Sequence, residues 1–235
     1  MSDRFSAAIA GENARGFVAV IPDIKRVSPK AGDLLQGRDP VESARCLEGL
    51  GAPALSVVTE SERFGGGPGL LRAVTRAVNA PVLRKDFIKN ADMIEETAEL
   101  GASAVLLICS IVDEKTLAAL YEKSLELGLE PLVETHTAEE MRLAARLGAR
   151  LIGVNNREIT TLELDDGGPE KTAELAPGMP AGALLISESG ILSPEDARLA
   201  ASAGANAILI GTALWRAGDI GAAYRSFRVA RSEIS

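Results

Sequence analysis

The chain has 235 residues, 46% of them hydrophobic and 25% charged, with a formal net charge of −8. That length suits one large buried core, and this balance excludes a disordered chain. An acidic protein without a basic stripe is a poor nucleic-acid binder, so an anionic ligand has to be held by a local cluster of groups.

Residues 1–15 contain acidic and polar groups throughout and no long apolar core, which reads as neither a secretory leader nor a membrane span. An apolar run at 16–24 (GFVAVIPDI) predicts the first strand. Asp39 and Pro40 then start a helix to Leu50, as N-cap and first helical residue. Residues 54–59 (ALSVVT) predict the second strand and 69–78 the helix after it. The third strand opens at Val82 and runs into Arg84, Lys85, Asp86 and Phe87. A strand buried on both faces cannot continue through charge unless it has reached a cavity or solvent. Lys85 is therefore expected to project from the strand end into a site, with Phe87 as an apolar wall. A lysine desolvated there would titrate near neutrality, which suits a general acid.

A helix follows at 91–100, then a fourth strand at 104–109 (AVLLIC) and a helix at 113–127. The fifth strand is 131–135 (PLVET), after which Thr137 and Glu140 have capping-box spacing. Strands six, seven and eight are predicted at 151–154, 184–187 and 207–211, with helices at 169–175, from Ser193, and over 213–231. Glycines 51, 101, 148 and 204 each precede a strand, as helix stops before short loops. Eight strands alternating with eight helices predict one α/β domain over 1–235, a (β/α)8 barrel. No dinucleotide glycine fingerprint supports the rival open sheet. Cys46 and Cys109 read as reduced core residues of a cytoplasmic protein. His136, the single histidine, excludes a histidine-rich metal site and is expected to cap the helix beyond it.

In such a barrel the active site lies at the C-terminal ends of the strands. Those ends carry Asp23 and Lys25, Thr59 and Glu60, Lys85 and Asp86, Ser110, Glu134, Asn155 with Asn156 and Arg157, Glu188 and Ser189, and Gly211 and Thr212. The stretches SESGI (187–191) and IGTA (210–213) put small residues where backbone N–H groups can approach an anion, which makes a phosphate cradle. Glu134 would share a low-dielectric mouth with Lys25 and Lys85, a setting that pushes acid and base to opposite protonation roles.

DIKRVSP (23–29), LRKDF (83–87), LVETH (132–136), GVNNR (153–157), SESGI (187–191) and LIGT (209–212) together resemble indole-3-glycerol phosphate synthase. The likeness runs in order from about Val18 to Arg216. It implies closure of 1-(2-carboxyphenylamino)-1-deoxyribulose 5-phosphate to indole-3-glycerol phosphate, with loss of carbon dioxide and water. It implies no cofactor and no metal. By the same resemblance Lys85 is the general acid, Glu134 the proton acceptor, and Lys25 a substrate-binding group that assists proton transfer. Asn155 and Glu188 orient the sugar hydroxyls and the ring. Ser28, Ser189, Gly190, Gly211 and Thr212 hold the phosphate, with Arg157 near an anionic group, and Phe64, Phe87 and Leu106 wall the ring pocket. The partner is then a small sugar phosphate, with no nucleic acid or membrane involved and the oligomeric state left open.

Two features depart from the family. Its first motif begins with glutamate where this chain has Asp23, which withdraws a carboxylate by roughly 1.5 Å, a displacement that can cost on the order of 10²-fold in rate. Its longer N-terminal extension, which folds over the barrel mouth, is shortened here to about fifteen residues. A slower synthase, or a paralogue using a related arylamino sugar phosphate, would fit both. A phosphoribosylanthranilate isomerase would need a cysteine and aspartate pair at the strand ends, which Cys46 and Cys109 do not supply. A non-catalytic phosphate-binding barrel would have lost the acid or the base, yet Lys25, Lys85 and Glu134 are all present.

Overall fold

The computed structural model describes residues 4–157 and 167–231. Eight parallel strands close a barrel: β1 (Ala19–Ile24), β2 (Leu55–Val58), β3 (Val82–Lys85), β4 (Ala104–Ile108), β5 (Glu130–Thr135), β6 (Leu151–Asn155), β7 (Leu184–Glu188) and β8 (Ala207–Ile210). Each pairs with its neighbours in sequence, and Ala19 beside Ala207 closes the ring. The (β/α)8 barrel expected from the sequence is the fold.

Alternation along the strands explains the closure. Ile21, Leu83, Leu106, Leu132, Ile186 and Leu209 point inward and fill the barrel. Val20, Val57, Val105, Val133, Ile152 and Ile208 belong to the outer layer between strands and helices.

The helices are α1 (Arg4–Ala14), α2 (Pro40–Gly49), α3 (Pro68–Ala77), α4 (Ala91–Glu99), α5 (Glu114–Glu126), α6 (Ala138–Arg146), α7 (Glu170–Leu175), α8 (Pro194–Ser202), α9 (Thr212–Arg216) and α10 (Ile220–Ser226). Asp39 caps α2 by accepting from the N–H groups of Val41 and Glu42, and Ser193 with Asp196 makes a full capping box on α8. The box expected at α6 is half made. Thr137 accepts from the Glu140 N–H, but the Glu140 carboxylate accepts from the N–H of His136. Thr137 is the cap, so His136 does not have the capping job assigned to it above.

Two further expectations are corrected. The tail predicted as one helix over 213–231 is two helices, because Asp219 caps a fresh start at α10 while Arg38 binds the carbonyls of Trp215 and Ala217. Cys46 is exposed on the outer face of α2 rather than in the core, whereas Cys109 is buried in the turn after β4.

Helix α1 closes the end at which the strands begin. Phe5 and Ile9 are fully buried within the interior cluster. The N–H groups of Phe5 and Ser6 donate to Glu130 at the start of β5, and Asn13 pairs with Asn206 ahead of β8. The N-terminal stretch over 4–14 thus seals the floor opposite the C-terminal ends of the strands, away from the mouth over which a lid was expected. No helix among the described residues is long and apolar enough to cross a membrane.

Candidate active site

Lys85 is the last residue of β3, and its ammonium enters the barrel mouth. Nζ donates to Glu188 Oε2 at 2.8 Å and to Glu134 Oε2 at 3.2 Å. Asn155 Nδ2 donates to Glu134 Oε1 at 3.2 Å, and Asn155 Oδ1 accepts from the Arg157 N–H at 3.1 Å. These groups come from the ends of β3, β5, β6 and β7, so closing the barrel is what assembles them.

The protonation roles differ from the sequence expectation. Burial opposes the charge on Lys85, but Glu188, Glu134 and Asp23 outweigh it and raise its pKa above the ordinary lysine range. Lys85 therefore keeps its proton at neutral pH instead of titrating there. The group that titrates there is Glu188, pushed up to about 7 by burial and by the charges of Glu134 and Asp23, against the pull of Lys85. Its Oε1 has no hydrogen-bond partner among the described residues. Gly153 on β6 makes room for that oxygen, since a Cβ there would collide with it.

Arg84 overturns another expectation. It is buried, yet it has reached neither cavity nor solvent, because strand alternation turns it to the outside of the barrel. Its guanidinium donates to Thr59 Oγ1, Asp86 Oδ2, Glu96 Oε2, Thr97 Oγ1 and the Met93 carbonyl. Asp86 also accepts from Thr59 and from the Phe87 N–H. Charge inside a strand is tolerated here because every guanidinium nitrogen finds a partner.

Two hollows adjoin Lys85. One has an apolar side built from Val58, Phe64, Phe87, Leu106 and Ile108, faced by Asp23, Lys25, Lys85, Glu134, Asn155 and Arg157. The other is lined by Ser189, Gly190, Gly211 and Thr212, and shares Asp23, Lys25, Lys85 and Arg157 with the first. Ser189 and Gly190 both have positive φ, 61° and 70°, so the chain turns sharply as it leaves β7. A serine held in that region is strained backbone of the kind kept at ligand sites.

Asp23 is buried and its Oδ1 accepts from Ser56 Oγ at 2.7 Å. Lys25 lies 5.4 Å over the Phe64 ring, a cation–π pair at the edge of the apolar hollow. Phe64 sits on the loop between β2 and α3, where the Glu60 carboxylate accepts from the N–H groups of Glu62, Arg63 and Phe64.

Of the residues given a role by the resemblance, all but Ser28 line these two hollows or bond Lys85 directly; Ser28 lines neither hollow and pairs with Gly32 in a short antiparallel turn. Ser110 is exposed, so β4 serves the mouth through Leu106 and Ile108 instead. Asn156 is buried and braces the rim through Ser187, Thr172 and the carbonyls of Glu188 and Ser189. The sequence reading missed Val58 and Ile108 as walls, although each stands at the end of an apolar strand.

Residues 2–227 match the family model for indole-3-glycerol phosphate synthase. A protein of that name from Pyrococcus furiosus is 46% identical over 198 residues, covering 84% of this chain and 86% of its own. One from Carboxydothermus hydrogenoformans is 45% identical over 217 residues, 92% of this chain and 81% of that protein. One from Micrococcus luteus is 41% identical over 228 residues, 97% and 84%.

Proposed function

The chain belongs to the indole-3-glycerol phosphate synthase family, and from that premise we propose how the barrel mouth divides the chemistry. The activity is that of a carboxy-lyase of tryptophan biosynthesis. It closes 1-(2-carboxyphenylamino)-1-deoxyribulose 5-phosphate to indole-3-glycerol phosphate, releasing carbon dioxide and water.

The aryl ring enters the apolar hollow between Phe64, Phe87 and Leu106, and the phosphate enters the hollow of Ser189, Gly190, Gly211 and Thr212. Lys85 protonates the ribulose carbonyl as the ring carbon attacks it. An acid that starts fully protonated and stands between two carboxylates suits that step, since the same carboxylates favour its return to the charged form. Glu134 takes the proton lost from carbon during dehydration. Lys25 binds substrate and assists proton transfer, while Asn155 and Glu188 orient the sugar and the ring. Asp23 adds a carboxylate to the wall shared by both hollows. The apolar walls exclude water, which favours loss of the carboxylate as carbon dioxide.

The observation that carries this reading is the Lys85 ammonium, held by Glu134 and Glu188 at the edge of an apolar hollow. The test is a fluorescence assay of indole-3-glycerol phosphate formation by the purified protein. Turnover is expected, and Lys85→Ala is expected to lower it by about 10²- to 10⁴-fold, the range for a lost general acid. Undiminished turnover in Lys85→Ala would remove Lys85 from its role, and an inactive wild type would remove the whole reading.

A further inference from the structure

The reaction takes up one proton from water in each cycle. The acids of the site give two, one to the carbonyl oxygen and one to the hydroxyl that leaves as water. One returns when carbon loses its proton to the base. Charge balance agrees, because a carboxylate departs as neutral carbon dioxide. Glu134 is 1% exposed, so with substrate filling the mouth it is cut off from bulk water on that side.

Behind Glu134 lies His136. Its Nε2 is 3.6 Å from Glu134 Oε1, and its Nδ1 is 3.5 Å from Glu140 Oε2. The histidine side chain is 7% exposed, while Glu140, on the first turn of α6, is 18% exposed. Each ring nitrogen thus faces one carboxylate, at ion-pair distance rather than in hydrogen-bond geometry. From base to surface the three side chains form a row. We infer that His136 and Glu140 are the entry path for the proton that the reaction consumes.

The path rests on Glu134 being the proton acceptor. The imidazolium gives its Nε2 proton to Glu134 Oε1, and Glu134 releases one from Oε2 to the Lys85 amine, 3.2 Å away in the resting site. The ring keeps its Nδ1 proton, so it turns to bring the bare Nε2 to Glu140, takes there a proton that Glu140 relays from solvent, and turns back. Nothing is oxidised or reduced. Neither His136 nor Glu140 touches substrate, so both act through Glu134.

Among the described residues, Lys171 on α7 also acts on the ring, its charge opposing the imidazolium, and Cys109 after β4 faces the same two carboxylates and is pushed up to about 12 by burial and by Glu140 and Glu134. Burial also works against the imidazolium, but Glu140 and Glu134 raise its pKa overall and keep it a proton donor further toward neutral pH.

The test is kcat and KM across neutral and alkaline pH for wild type, His136→Asn, Glu140→Gln and Glu134→Gln, with and without added imidazole. In wild type, kcat is expected to fall as His136 deprotonates. His136→Asn is expected to lower kcat roughly ten- to a hundredfold, to leave KM nearly unchanged, to lose that alkaline fall and to regain rate with imidazole. Glu140→Gln is expected to lower kcat in the same direction and keeps the path testable if the histidine variant does not fold. Wild-type kcat and pH profile in both variants would overturn the path. So would a loss of kcat that keeps the wild-type profile and ignores imidazole. If Glu134→Gln stays active the base assignment itself fails; if it is inactive while both others behave as wild type, the path alone fails.

Discussion

Strand β5 carries a buried glutamate near each end, Glu130 at the floor of the barrel and Glu134 at its mouth. Glu130 accepts from the backbone N–H groups of Phe5 and Ser6, dipoles that neither titrate nor leave. Glu134 faces Lys85, Asn155 and His136, and two of those three can gain or lose a proton. The same residue type on the same strand is thus structural where its partners are fixed and chemical where they titrate. Carboxylates and a lysine crowded together at the mouth are tolerated because a well-packed floor supplies stability elsewhere.

The strongest way to break this contrast is to neutralise each glutamate in turn. Glu134→Gln is expected to cut kcat by about 10²- to 10⁴-fold with little change in Tm. Next comes Gly153→Ala, whose methyl group displaces the Glu188 carboxylate from its place beside Lys85. A shift of about 1 Å there is expected to cost on the order of 10²-fold in kcat/KM while the fold persists, as circular dichroism would show. Glu130→Ala should do the reverse, losing about 1–3 kcal/mol of stability in a urea melt through two buried N–H groups left unpaired, with kcat kept.

The titration of Glu188 sharpens the contrast further. It carries a proton below about 7 in the free enzyme, so kcat/KM is expected to fall below that pH, and Glu188→Gln should flatten the limb. The sign for stability follows from the same shift. An unfolded glutamate ionises near ~4.3, so between there and neutrality the native protein binds a proton that the unfolded chain has released. The Glu188 contribution to stability therefore declines as pH rises through that window, and melts of wild type and Glu188→Gln should diverge across it. The smallest effect belongs to Asp23. Its carboxylate is anchored short by Ser56, and Asp23→Glu is expected to raise kcat/KM by roughly tenfold. No gain would remove the missing methylene as a limit on rate.

Much of this was legible in the sequence, for a physical reason. A buried strand is a run of apolar residues, so eight runs separated by capped helices specify the barrel, and charge at the end of a run marks the mouth. Lys85 and Glu134 were found that way. Arg84 was misread by the same rule, because its partners Thr59, Glu96 and Thr97 lie on other elements and only the folded barrel brings them to it. Likewise the neutral-range carboxyl is Glu188, through charges from β1 and β5 that no local pattern contains. Phe5 and Ile9 have helical spacing, yet spacing does not say which end of the barrel a helix will close.

The loop that carries Phe64 has a practical consequence. Because Glu60 ties the turn to its own backbone, residues 60–67 behave as an interchangeable part inserted between β2 and α3, with Thr59 left in place to hold Arg84 and Asp86. Grafting a turn of another length there would change which aryl groups the barrel accepts while leaving Lys85 and Glu134, on β3 and β5, undisturbed. Substrate scope and reaction chemistry can then be redesigned separately, an arrangement suited to directed evolution of new aryl substrates.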